Sequence, residues 1–154
     1  MPEKETLERA RQDAAEGKAP STQAGEFVKE EMDHIKEGKH GARSTKQAIA
    51  IGLSKARRAG VDLPPPSGGK PETRRKAAQD SRRGQTGSRR PSATRSRATR
   101  RALKREGHSA ASRSALARQA RSAARRRSAG SRSASARRAA ATRKGSSTRS
   151  RRRS

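Results

Sequence analysis

The sequence predicts a mainly disordered chain with α-helical segments and no β-sheet, in which a small helical hairpin head precedes a basic, conditionally helical arm. Three observations lead there. The 154 residues hold one Phe and no Trp, Tyr or Cys, with only 27% hydrophobic residues, too little bulky side chain for an ordinary core of this length. A net charge of +27, from 41 Lys and Arg against 14 Asp and Glu, combined with low hydrophobicity, is the composition of a chain that orders on meeting a partner. The charge is also divided unevenly. Residues 1–66 carry 12 basic and 11 acidic residues, whereas residues 67–154 carry 29 and 3. That division marks a foldable head and a polycationic arm.

Taken in order, residues 1–24 read as a frayed helix and linker: Glu3 to Glu16 has helical character, but Leu7 is its one large apolar residue. This start is acidic and lacks the charged-then-apolar form of a secretory signal. Residues 25–63 read as the hairpin. Between Gly25 and Glu37, Phe27, Val28, Met32 and Ile35 share one arc at helical spacing, and Gly38 supplies the stop. Ser44 or Thr45 caps a second helix that ends at Gly60, with Ile49 and Leu53 on its apolar arc and Val61 placed for the contact that follows a glycine cap. The expected core is thus Phe27, Val28, Met32, Ile35, Ile49 and Leu53. Gly52, costly in a helix by about 1 kcal/mol, implies close approach of the first helix. Glu31 inside the apolar arc and Ile51 outside it are misfits: either the pattern is loose in a small motif, or they ask for a further surface, most simply a second copy of the hairpin, which leaves a homodimer open.

Residues 64–91, from the Pro64–Pro65–Pro66 run onward, read as a Pro/Gly/Ser-rich flexible linker. Residues 92–154 form an Arg/Ala/Ser-rich arm with Leu103 and Leu116 as its large aliphatics. Ala and Arg both favour helix, so the stretches before Gly107 and before Ser128–Ala129–Gly130 are conditionally helical, held back in water by repulsion among neighbouring arginines and released by phosphate.

The expected nucleic-acid contacts are Arg95, Arg97, Arg100, Arg101, Lys104, Arg105, Arg113, Arg118, Arg121, Arg125, Arg126, Arg127, Arg137, Arg138, Arg143 and Lys144, with Lys46, Arg57 and Arg58 as a secondary basic face. Guanidinium grips phosphate bidentately and stays charged, which favours backbone contacts that read no sequence. A single Phe makes no stacking platform, which disfavours single strands. A GC-rich genome contributes to the Arg-over-Lys bias without explaining why acids nearly vanish after Asp80.

Other chemistries find no support. Gly68–Gly69–Lys70 lacks the Ser or Thr of a phosphate loop, since Pro71 follows, and no strand precedes it. His34, His40 and His108 lack helical ligand spacing and have no Cys beside them, so they read as solvated or half-buried imidazoles rather than a metal centre. No catalytic triad can be assembled, and no cofactor is expected. The longest uncharged stretch with apolar character, Gln47 to Ser54, is far too short to span a membrane. Ser92 after Arg89–Arg90–Pro91 fits a basophilic kinase, as Arg/Ser-rich tails readily do by chance.

The stretch from Met32 to Lys39, with Asp33, His34 and Ile35 inside it, followed by Ser44–Thr45–Lys46–Gln47–Ala48–Ile49–Ala50–Ile51–Gly52–Leu53–Ser54–Lys55–Ala56–Arg57–Arg58–Ala59–Gly60, resembles an uncharacterised bacterial family of small basic proteins, a domain of unknown function. The family motif reads M-H-x-F-K-x-G-K and then S-x-K-Q-A-I-A-I-x-L-S-x-A-R-x-A-G. This chain departs from it at Asp33–His34–Ile35 and in a short loop before Ser44. The tail is similar to histone-like Arg/Ala-rich arms. The resemblance implies a bacterial source and a DNA-associated role, and supplies no catalytic residue. The resulting expectation is a non-enzymatic, cytoplasmic, nucleoid-associated protein that coats duplex DNA. An RNA- or ribosome-associated protein, or a protein-interaction hairpin with a tethering tail, stands as the alternative.

Overall fold

The computed structural model describes residues 2–87 and 92–151, with side chains described as far as residue 141. Seven α-helices and one 3-10 turn account for most of these residues, and no strand occurs among them. The helices are α1 (Lys4–Ala15), α2 (Pro20–Lys36), α3 (Thr45–Arg58), α4 (Pro71–Gln85), α5 (Ala93–Lys104), α6 (Arg113–Arg125) and α7 (Ala129–Arg151). The 3-10 turn is Ser109–Ala111. Two compact units are present, residues 1–116 and 117–154, with the division falling inside α6.

The expectation of a mainly disordered chain is therefore corrected: the described residues are helical. Counting large side chains underestimated what Ala, Gly and buried polar groups can hold together. The α2–α3 hairpin lies at the centre of the first unit, with α1 packed on α2, α4 on α3 and the 3-10 turn on both α2 and α3.

Local signals explain the hairpin. α2 begins at Pro20, where the missing N–H costs nothing, five residues before the expected start at Gly25. It ends at Gly38, whose φ of 74° places Lys39 N–H on the His34 carbonyl at 3.0 Å. Ser44 caps α3, its Oγ accepting from Gln47 N–H at 3.2 Å. Gly60, at φ 96°, ends α3, and Val61 N–H reaches the Ala56 carbonyl at 3.1 Å. Gly52 sits at the helix crossing: a Cβ there would lie 2.7 Å from Val28 Cα and 3.0 Å from the Phe27 carbonyl oxygen.

Two apolar clusters result. Phe27, Ala24, Ala56 and Ala10 form one, covered by Leu7, Leu53, Val61 and Leu63. Docking of Leu7 and Ala10 explains why α1, expected to fray, is fixed; Arg9 Nε also donates to Glu26 on α2 at 2.7 Å. Met32, Ile35, Ala42 and Ala48 form the other, together with Ala110 and Ala111 of the 3-10 turn, and Val28, Ile49 and Leu116 pack against it. Residues 109–116, assigned by sequence to the arm, thus complete the head. Thr45 Oγ1 donates to the Ala110 carbonyl at 2.6 Å, and the N–H groups of Gly41 and Ala42 donate to the carbonyls of Leu103 and Gly107 at 2.9 and 3.0 Å.

The segment expected to be a flexible linker contains α4. Its attachment needs almost no apolar surface: Ala77 is buried, Gly84 rides against the Arg57 carbonyl, and Asp80, 2% exposed, accepts from Ser54 Oγ at 2.6 Å. α6 ends at Arg125, just before the Ser128–Ala129–Gly130 stretch that reads as a stop, and in the second unit α7 begins at Ala129. There Arg127 donates to Ser131 and Ser135, and Arg132 to the Arg127 carbonyl.

Candidate nucleic-acid interface

The basic residues of the arm sit on helices built for exposure. α5 carries Arg95, Arg97, Arg100, Arg101 and Lys104, with Arg105 just beyond its end, and all six are exposed. Arg113, Arg118, Arg121 and Arg125 on α6, Arg126 and Arg127 after it, and Arg137 and Arg138 on α7 are exposed as well. Within α6, Arg118, Arg121 and Arg125 fall in an arc of about 60° at 100° per residue, opposite the Leu116, Ala120 and Ala123 stripe. Arg143 and Lys144 lie on α7, but their side chains are outside the described set, as are Arg89, Arg90 and Pro91 altogether. Among the described residues, no carboxylate pairs with the arginines of α5 or α6. The one acidic residue of this region, Glu106, faces Arg43, 3.8 Å from its Nε.

The secondary basic face on α3 is not a continuous surface. Lys46 is exposed, but Arg57 is buried, donating through Nε and Nη2 to the carbonyls of Leu63 and Pro64 at 3.2 and 3.1 Å. Burial lowers the Arg57 pKa from its usual value, an effect the Asp80 charge partly opposes. Arg57 thus braces the chain as it leaves Gly60 and is withdrawn from solvent. Arg58 is exposed but turned toward α4, with Nε 3.2 Å from the Ser54 carbonyl and 3.8 Å from Asp80 Oδ1. Arg58 turns toward α4 because that helix supplies a buried carboxylate where the sequence suggested open solvent, whereas Arg57 is held by the carbonyls of Leu63 and Pro64.

Of the expected hairpin core, Phe27, Met32 and Ile35 are buried, while Val28, Ile49 and Leu53 are half-buried at the cluster edges. The misfit Ile51 is half-buried and joins neither cluster. Glu31 meets its neighbours within the chain. It is 1% exposed, with Oε2 2.6 Å from Lys55 Nζ and Oε1 3.1 Å from His40 Nε2. Lys55 also donates to Glu30 Oε1 at 3.0 Å, and Glu30 Oε2 accepts the Glu3 backbone N–H at 3.1 Å. Burial works to lower the Lys55 ammonium, yet the two carboxylates outweigh it and hold its pKa above the usual lysine value. Burial likewise works to raise Glu30, but Lys55 and the Glu3 N–H hold it below the usual carboxylate value.

This network also gathers residues that sequence spacing set apart. Glu31, His34 and His40 each place one potential ligand atom within 4.8 Å of the others. Glu31 and His34 are three residues apart on α2, one helical face, and that E-x-x-H step was the available signal. The return of His40 depends on the left-handed turn at Gly38, which makes the pairing nonlocal in character.

A family of unknown function (DUF6496) matches residues 20–67, from the first residue of α2 to just beyond the Pro64–Pro66 run. No curated protein and no solved structure gives a match to the chain. The matched segment is the α2–α3 hairpin with Glu30, Glu31 and Lys55, whereas the exposed arginines of α5 to α7 all lie outside it. No described helix is long and apolar enough to cross a membrane.

Proposed function

We propose that the chain is a non-enzymatic protein that binds duplex DNA without sequence preference, through phosphate neutralisation by α5, α6 and α7. One observation carries the reading: residues 93–141 hold 15 basic residues against one acid, and every one of those 15 side chains is exposed. These helices then offer guanidinium groups to a phosphate backbone, and release of condensed counterions supplies the driving force. Repulsion along each helix, unfavourable in water, is relieved by the same contacts. The short Ala side chains between the arginines let a helix lie close to the backbone. Phe27, the one Phe of a chain without Trp or Tyr, is buried and offers no stacking face to unpaired bases, which favours duplex over single strand. A bacterial nucleoid is the setting that the motif resemblance suggests.

The test compares binding of the chain to random duplex DNA, structured RNA and single-stranded DNA at matched salt, with the full chain and a truncation after Leu116. Cutting at residue 91 is unsuitable, because it strips Ala110, Ala111 and Leu116 from the Met32–Ile35 cluster. The truncation removes 14 basic and no acidic residues. Tightest binding to duplex, sharply weakened by the truncation, supports the reading. Preference for structured RNA moves the function to an RNA-associated protein, and unchanged binding after truncation removes the second unit from it.

A further inference from the structure

We propose that Glu31, His34 and His40 bind one divalent transition-metal ion, with Zn²⁺ the best fit, at the C-terminal end of α2. The three potential ligand atoms already lie within 4.8 Å of one another. Zinc bonds of about 2.0–2.1 Å in a tetrahedral arrangement place ligand atoms roughly 3.4 Å apart. Closing that gap requires a shift of about 1 Å, within reach of rotation about the side-chain torsions of two half-buried imidazoles.

The chemistry of His40 is the strongest argument. Its Nδ1 lies 3.1 Å from the Gly41 carbonyl oxygen, and the tautomer with the proton on Nδ1 donates there. In the neutral ring that leaves a lone pair on Nε2, directed at Glu31 Oε1 across 3.1 Å. A lone pair and a carboxylate oxygen at that distance need a positive centre between them. A metal ion ligated by both atoms supplies it. A backbone carbonyl on the outer nitrogen is also how metal-binding histidines are commonly oriented.

The remaining groups are oriented in the same way. His34 Nε2 lies 2.9 Å from Glu3 Oε1, a carboxylate that orients the ring. The two rings meet edge to face, with centroids 5.9 Å apart. Lys55 holds Glu31 through Oε2, which leaves Oε1 for the ion, and Glu30 shares the lysine charge. The side chains of His34 and His40 are 14% and 15% exposed, so solvent can reach the cluster to deliver the ion and fill a fourth position. Two imidazoles and one carboxylate suit Zn²⁺ and its neighbours in the first transition row, and are a poor set for Mg²⁺ or Ca²⁺, which take oxygen donors. The ion would fasten the turn after Gly38 to α2, beside Met32 and Ile35, and so act as a staple on a small core.

The test uses the full chain freed of metal by chelation and then titrated with Co²⁺, followed by visible absorption, and with Zn²⁺, followed by calorimetry. One equivalent should bind, with the absorption bands of a nitrogen- and oxygen-ligated Co²⁺ ion and a rise in the thermal midpoint. His34→Gln and His40→Gln, each checked for retained helix by circular dichroism, should weaken binding by at least about tenfold. His108→Gln should bind as the parent does, and Mg²⁺ and Ca²⁺ should leave the midpoint unmoved. Absence of saturable uptake overturns the site, as does parental affinity in both folded His34 and His40 variants. Loss of binding in His108→Gln alone would move the site elsewhere and equally refute this assignment.

Discussion

Replacing Gly52 by Ala probes whether close helix approach holds the hairpin together. A Cβ at this position would lie 2.7 Å from Val28 Cα, 3.0 Å from the Phe27 carbonyl oxygen and 3.0 Å from Val28 Cγ2. Relaxed carbon contacts are about 3.5–4.0 Å, and two of the three atoms are backbone that cannot rotate away, so α2 and α3 must part by about 1 Å. Separation at the crossing loosens both apolar clusters, since Phe27 and Met32 lie on α2 and Ala48 and Ala56 on α3. Overpacking of this kind costs up to about 3 kcal/mol, and Ala returns about 1 kcal/mol of helix propensity. The net loss is about 2 kcal/mol, which lowers the midpoint of a domain near 100 residues by roughly 8–16 °C. Gly25, on α2 with nothing near its missing Cβ, is the internal control: Gly25→Ala should raise the midpoint by a few degrees. Thermal unfolding followed at 222 nm, with amide exchange of α2 and α3 peptides to isolate the hairpin, reads both variants. A Gly52→Ala chain that melts at or above the parent would refute the packing argument.

Further outcomes follow from the polar contacts. Asp80→Ala should cost about 1–3 kcal/mol and raise amide exchange throughout α4, because it removes the acceptor for Ser54 and the charge facing Arg58. Lys55→Met leaves Glu30 and Glu31 facing each other without their shared cation, and should destabilise by about 2–4 kcal/mol in urea titration, the lower end reflecting partial exposure of Lys55. Stability should also respond to pH at both ends. Glu30, held below its unfolded pKa, stabilises fully above about pH 4.3 and loses that contribution as pH falls through its folded value. Lys55, held above its unfolded pKa, stabilises fully below about pH 10.4 and loses it as pH rises through its folded value. Midpoints measured from pH 3 to 11 should therefore fall on both flanks, and Glu30→Gln should flatten the acid flank; an unaltered acid flank would remove Glu30 from that role. Arg57→Gln should lower stability through the lost contacts to Leu63 and Pro64 while leaving the salt dependence of DNA binding unchanged.

The parts of the fold legible in the sequence were those written locally. Ser44, Gly38 and Gly60 announce helix ends through side-chain and backbone preferences of single residues, and Gly52 announces a crossing because a helix has no other use for it. Glu31 was legible as a misfit, but its answer lies in Lys55 and His40, one on the next helix and one beyond a turn. The docking of α4 was illegible for a different reason. It rests on Asp80, Ala77 and Gly84, residue types that in sequence look like a solvated, flexible stretch. Ala110 and Ala111 likewise resemble every other Ala of the tail, and only their packing under Met32 and Ile35 separates them from the arm. The candidate interface was easier to read, since exposure of Arg on an Ala-rich helix needs no partner. Arg57 and Arg58 were the exceptions, because the carbonyls of Leu63 and Pro64 bury the first and the Asp80 carboxylate of α4 draws the second toward that helix.

The most direct measurement of the central claim is the salt dependence of binding to random duplex DNA. If the exposed arginines neutralise about 8–10 phosphates, the logarithm of the binding constant should fall with the logarithm of salt concentration at a slope of roughly −7 to −9. The truncation after Leu116, lacking 14 of the 41 basic residues, should give a distinctly shallower slope. A full-chain slope shallower than about −3, or the same slope with and without residues 117–154, would contradict phosphate neutralisation by these helices.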